Sequence, residues 1–226
     1  MLFFLWLVWF FDLYDREPLW LIGGAFLWGA LGAVFLAIVL QIPIDLVLSF
    51  LVEDKKLVMQ LAATIVAPLT EEPGKALILF LLVRSRHFDN MSDGFVFGAA
   101  AGLGFGMTEN AKYFMEGALA SGGGAAGTAM WVKMVITRTL FSALMHATAT
   151  SLVGAFMGLG KFHSLGVRAL LSSVGMCIAL VIHGIWNGVL VTEWNPSPGS
   201  DWFRWAERLG VEGDTMPLVL DASIFL

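Results

Sequence analysis

The sequence predicts an all-α fold, a polytopic bundle of transmembrane helices with a polar layer inside the membrane, and three observations predict it. Of its 226 residues 58% are hydrophobic and only 14% charged, with a mean hydropathy of +0.80, values outside the soluble globular range. The apolar residues come in runs of about 20 or more, the length a helix needs to cross the hydrocarbon, whereas barrel strands would be short and alternating. Ionisable residues stand inside four of those runs, and lipid tolerates such groups only where they face a protein interior or a watery cavity. Membrane lipid is therefore the surrounding partner. A net charge of −5 with no Lys/Arg-rich run argues for no nucleic acid partner and against a polybasic lipid-binding tail. The lone Cys177 lies in an apolar stretch, cannot form an internal disulfide, and is assigned to packing.

Taken in order, residues 1–192 read as one helical membrane domain and 193–226 as a polar or interfacial tail with a partial further span. Residues 1–11 lack the positive n-region and small-residue cleavage site of a signal peptide. They reach only about 16 Å, too short to span upright, and read as a short first helix. After a polar stretch ending in Pro18, which suits a helix start, a span covers 19–40. Its Gly23, Gly24, Gly29 and Gly32 permit close helix approach. Residues 41–56 mix Pro43, Asp45 and Glu53-Asp54-Lys55-Lys56 with apolar residues and read as a connection lying partly in the interface. The next span, 57–83, holds Glu71 and Glu72 between Pro68 and Pro73, so it is expected to kink or open at the acidic pair. A polar turn at 84–93 leads to a span at 94–114, whose Gly98, Gly102, Gly104 and Gly106 precede Thr108-Glu109-Asn110. Residues 116–128, with Ser121-Gly122-Gly123-Gly124, read as a flexible loop placed to gate access. Spans at 130–160 and 166–192 complete the set. No internal repeat is visible, so the repeated halves of many transporters find no support.

The buried ionisable residues share a depth. Glu71, Glu109, His146 and His183 each lie roughly 13–15 residues from the turns at 84–93 and 161–168, or about 20–22 Å at 1.5 Å per residue. Those turns fall on one face, because each joins two consecutive spans. Unrelated structural charges have no reason to coincide in this way. Spacing adds partners on the same helical faces: Glu71 with Lys75, His146 with Thr150, His183 with Asn187. Arg138 and Asn110 complete the polar set. His87 and His163 fall in the turns and read as solvated.

Two designs use such residues. Carboxylates and imidazoles can hold a zinc ion and lower the pKa of its water to about 7, with a spare glutamate as base. Alternatively a buried Glu activates water directly while His or Asn side chains stabilise an oxyanion. Either design hydrolyses a substrate. A serine nucleophile elbow, a GxxxxGK loop and HExxH are absent, and Ser142, near His146, is a weak nucleophile candidate. A reading from another class is an ion-coupled transporter using buried Glu, His and Arg as a proton relay. It needs a polar path to both faces, whereas Ala76-Leu77-Ile78-Leu79-Phe80 and Phe95-Val96-Phe97 read as closed.

Several motifs are similar to those of the PrsW family of intramembrane proteases, which is related to the CAAX-protease and bacteriocin-processing membrane proteins. Glu71-Glu72-Pro73-Gly74-Lys75 resembles its EExxK motif, Phe105 to Glu109-Asn110 its FxxxEN, His183 to Asn187 its HxxxN, and His146 is followed by small and hydroxyl residues. Asp15-Arg16-Glu17-Pro18 resembles its N-terminal signature. The resemblance covers 15–192 and implies an endopeptidase of the bacterial inner or plasma membrane acting on a membrane-anchored protein substrate, often an anti-sigma factor. It implies Glu71, Glu72, Lys75, Glu109, Asn110, His146, His183 and Asn187 as catalytic, and the buried polar set adds Arg138, whose charge can hold a nearby glutamate ionised. The family is classed as metalloproteases, whereas its CAAX relatives use glutamate without metal. If zinc is bound, His146, His183 and Glu109 are the expected ligands, three from three helices at equal depth with one position open, leaving Glu71 or Glu72 as base. Three glutamates against Lys75 and Arg138 leave −1, or +1 with zinc, so charge alone does not choose. Placing Arg84, Arg86, Lys161 and Arg168 in the cytoplasm satisfies the positive-inside tendency locally and sets the polar layer toward the outer leaflet.

Overall fold

A computed structural model describes residues 1–12, 16–122 and 124–191. Within them the chain forms six helical rods and no strand. These are α1 (Leu2–Phe11), α2 (Leu19–Leu51), α3 (Lys55–Leu61, Ala62–Val66 and Ala67–Leu82 end to end), α4 (Met91–Ala120), α5 (Ala125–Thr137, Arg138–Ser142 and Ala143–Gly160 end to end) and α6 (Leu165–Val191). Side chains close two of the N-termini. Asp54 accepts from the amides of Lys56 and Leu57, and Asn90 with Asp93 forms a capping box at α4.

Three helices, Leu19–Leu51, Gly127–Gly160 and Leu165–Gly188, are long and apolar enough to cross a membrane. Of their most apolar windows 6%, 67% and 11% is buried, which makes α5 the inner member and turns α2 and α6 largely outward. The lipid side of α2 presents Leu27, Leu31, Phe35 and Ile38. α3 and α4, also expected as spans, differ in placement: α3 turns Glu71, Glu72 and Lys75 inward while exposing Ile65, Leu69, Leu77 and Phe80, and α4 is buried throughout residues 96–106. Their inward faces carry Glu71, Glu72 and Lys75, or glycine and alanine, rather than a continuous apolar surface.

Glycine decides how closely α4 meets its neighbours. A Cβ on Gly94, Gly98 or Gly102 would collide with backbone at Gly154, Thr150 or His146, so one stripe of α4 lies directly on the α5 backbone. On another face, Gly104 meets the carbonyl of Phe26, while Gly29 of α2 meets that of Ala101. The stripe against α5 is what brings Glu109 of α4 beside His146. Toward the turn at 84–90, Ala76, Leu79, Val96, Phe97 and Val153 fill a closed apolar core. There Lys161 Nζ donates to the carbonyls of Ser85 (2.7 Å) and Phe88, tying both turns together on one face.

Several expectations are corrected. The helix beginning at Leu19 continues through Pro43 to Leu51, where a connection from 41 was expected; apolar Leu46, Val47 and Phe50 continue it, and the proline removes only one ladder bond. The chain does not open at the acidic pair. Residues 67–82 are regular α-helix through Pro68 and Pro73, and the irregularity precedes them as a π-turn at Ala62–Val66, next to the place where the Pro68 ring would crowd the Thr64 carbonyl. The segment expected as a loop from 116 to 128 is mostly helix, since Ala, Glu and Leu favour it and only the glycine run interrupts; Gly123 lies outside the described residues. Cys177 is exposed on α6 rather than packed inside. Asp15 and the tail 193–226 also lie outside the described residues.

Candidate active site

α3, α4, α5 and α6 bring all four expected ionisable groups into one cluster. Adjacent residues on a helix point about 100° apart, and Glu71 and Glu72 illustrate the consequence. Glu72 is fully buried and fully used. Its Oε1 accepts from Lys75 Nζ at 2.6 Å and from His183 Nδ1 at 2.7 Å, and its Oε2 from Thr150 at 3.2 Å. Glu71 faces the cavity. Its Oε1 accepts from Gln41 Nε2 at 3.2 Å, while its Oε2 is buried and has no hydrogen-bond partner among the described residues.

The partners assign the tautomers. An ionised Glu72 only accepts, so His183 carries its proton on Nδ1 and presents the Nε2 lone pair, 3.8 Å from Glu71 Oε2. Lys75, an ammonium without lone pairs, also lies 3.0 Å from His146 Nδ1, so that nitrogen accepts and His146 Nε2 donates to Glu109 Oε2 at 2.8 Å. The two rings meet edge to face with centroids 5.0 Å apart. Phe105 packs on His146 and lies 4.3 Å under the Lys75 ammonium, which accounts for an aromatic residue beside the charges.

Arg138 Nη2 donates to Glu109 Oε2 at 3.0 Å, and Arg138 Nε to Asn110 Oδ1 at 3.1 Å. Tyr113 covers the guanidinium at 3.7 Å. Asn187 does not reach the His183 ring. Its Nδ2 donates to the carbonyl of Ala63 at 2.9 Å, inside the π-turn of α3. The same pattern recurs at the other two π-turns, where Thr108 donates to Ala30 O at 2.7 Å and Asn110 to Arg138 O at 3.1 Å. Ser142 is buried one helical turn from His146 but finds both ring nitrogens taken.

A cavity of about 230 Å³ opens beside the cluster, lined by Gln41, Asp45, Met59, Glu71, Glu109 and Asn187 among others. Lys75 and Arg138 stand behind this wall, each bonded to a carboxylate. Glu71, His146 and His183 each offer a ligand atom within 4.8 Å of the others, a group able to hold a metal ion. The donor set fits. Glu71 Oε2 is an orphaned buried oxygen, His183 Nε2 has a free lone pair, and His146 contributes Nε2 once a metal replaces the proton it shares with Glu109. Glu109, expected as the third ligand, has its Oε2 held by Arg138 and His146. Gln41, Thr70 and Tyr113 were not singled out from the sequence, because a lone amide, hydroxyl or phenol near the start of an apparent connection or within a glycine-rich helix carries no motif.

A profile described as PrsW family intramembrane metalloprotease matches residues 17–203. A Protease PrsW of Clostridioides difficile (strain 630) is 26% identical over 197 residues, 86% of this chain and 74% of the relative. One of Bacillus subtilis (strain 168) is 26% identical over 182 residues, covering 79% and 73%. One of Geobacillus kaustophilus (strain HTA426) is 27% identical over 185 residues, covering 80% and 72%. No solved structure matches. The matched region contains every residue of the buried cluster, and the chain belongs to the PrsW family of intramembrane metalloproteases, endopeptidases embedded in the membrane.

Proposed function

We propose that the protein hydrolyses peptide bonds of membrane-anchored proteins, regulators of the anti-sigma-factor type among them, with Glu71, His146 and His183 as its hydrolytic centre. One observation carries this: the unpartnered Glu71 Oε2 faces the free Nε2 of His183 across 3.8 Å at the wall of a cavity. Zinc is the proposed metal, held by Glu71, His146 and His183. When bound it supplies a water of lowered pKa and polarises a carbonyl. Glu72 fixes the His183 tautomer, and Lys75 orients His146. Arg138 with Asn110 holds Glu109, the carboxylate left facing the cavity to take a proton from water when Glu71 is a ligand. Asn187 braces α6 against α3 at the cavity wall.

A specific observation favours a second reading. Both His146 nitrogens already have partners, so the site is complete without an ion, with Glu71 itself as the base. Elemental analysis and chelation decide between them. The zinc reading expects stoichiometric zinc in the purified protein, lost together with cleavage in His146→Ala/His183→Ala. Undiminished cleavage after exhaustive chelation overturns it in favour of the glutamate mechanism.

A further inference from the structure

We infer that Gln41 of α2 is a positioning residue for the reaction: it engages one oxygen of Glu71 and thereby leaves the other, Oε2, as the working atom. The inference rests on the role proposed above for Glu71. Both amide protons of Gln41 are committed, one to Glu71 Oε1 at 3.2 Å and one to Thr70 Oγ1 at 2.9 Å. The Thr70 hydroxyl donates back to the carbonyl of Val66 or Ala67, so it presents a lone pair to Gln41 and fixes the direction of the amide. A carboxylate can only accept, which settles that the NH2 end faces Glu71.

The register that delivers this amide is also held earlier in α2, where Trp28 Nε1 donates to the carbonyl of Gly74 at 3.0 Å. Trp28 and Gln41 thus clamp a helix that is otherwise mostly outward-facing onto the two ends of the segment carrying Glu71 and Glu72. An amide on such a helix is costly in lipid unless it is bonded, so its place opposite Glu71 calls for a reason other than packing. With Oε1 engaged, Oε2 lies 3.8 Å from both His183 Nε2 and Lys75 Nζ. Without Gln41 the carboxylate turns about its terminal torsion, and the Lys75 ammonium can draw either oxygen away from the cavity.

The test uses the full chain in proteoliposomes with a single-span peptide carrying a fluorophore and quencher across a site that the unmodified protein cleaves. Gln41→Met keeps the size and removes the donor. It is expected to lower kcat by at least about tenfold, the loss of one hydrogen bond to a carboxylate, with KM within twofold. Gln41→His, whose ring N–H reaches a similar distance, should recover part of the rate lost in Gln41→Met. A packing role predicts the reverse order, with Met mildest. Thermal unfolding in detergent accompanies each variant, so that loss of fold is seen as such. Gln41→Met with kcat within twofold of wild type, or a loss confined to KM, overturns the inference while an inactive Glu71→Gln leaves the Glu71 assignment standing. An active Glu71→Gln overturns both.

Discussion

Glu71 and Glu72 are neighbours that share no short partner. Glu72 satisfies two cationic or imidazole donors and a threonine, whereas Glu71 keeps one oxygen for the cavity. Lys75 is fully buried and 2.6 Å from Glu72, so removing either charge strands the other, at a cost of roughly 3–5 kcal/mol. Lys75→Met is therefore expected to lower thermal stability in detergent by about that much, and Lys75→Met/Glu72→Gln to recover most of it. Additive losses in the double variant would contradict the pairing. The depth count brings Glu71, Glu109, His146 and His183 together, and the structure places all four in one cluster: Glu109 bonds to His146 at 2.8 Å, and Glu71 lies 3.8 Å from His183. It does not foretell which glutamate is satisfied, because that depends on the 100° turn between adjacent side chains and on α5 and α6 arriving from far along the chain.

At the scale of the element, glycine and π-turns do the placing. Gly102 lies on the carbonyl of His146, so a larger side chain pushes that imidazole off Glu109 and Lys75. Gly102→Leu is expected to abolish cleavage and destabilise the protein by roughly 1–3 kcal/mol. Gly24→Leu meets open space and should be close to neutral in both assays. Similar effects at the two positions would remove close approach as the reason for the stripe. The glycine stripe is legible as spacing in the sequence. The π-turns are not, since each answers a partner on another helix: Thr108 for Ala30, Asn187 for Ala63 and Asn110 for Arg138. For the same reason the prolines mislead. Pro68 and Pro73 suggest a break at the acidic pair, yet the adjustment is made one turn earlier, where an asparagine of α6 meets the altered backbone.

Over the whole molecule the polar layer is closed on one side and open on the other. Apolar core fills the space toward the turn at 84–90, while the cavity runs from Glu71 and Glu109 past Gln41 and Asp45 to the exposed Met59. In a Cys177→Ala background, a methanethiosulfonate reagent on Met59→Cys should block cleavage, and the same reagent on Leu81→Cys, exposed near the closed side, should leave it intact. Equal inhibition at both would place the entrance elsewhere. The helical class and the shared layer are legible in composition and spacing; how much of each helix turns inward is not, because α3 and α4 are as long as α2 and α6 and differ from them in what their faces carry. The hydrolytic centre itself is tested most directly by the turnover of Glu71→Gln in proteoliposomes, with thermal unfolding recorded on the same preparation. Its single-atom change leaves Gln41, Thr70 and the Lys75–Glu72 pair in place. The account predicts a folded protein whose cleavage falls by roughly 100-fold or more, the loss expected whether Glu71 holds the metal or itself takes the proton from water. A folded Glu71→Gln protein that cleaves at the wild-type rate would contradict it.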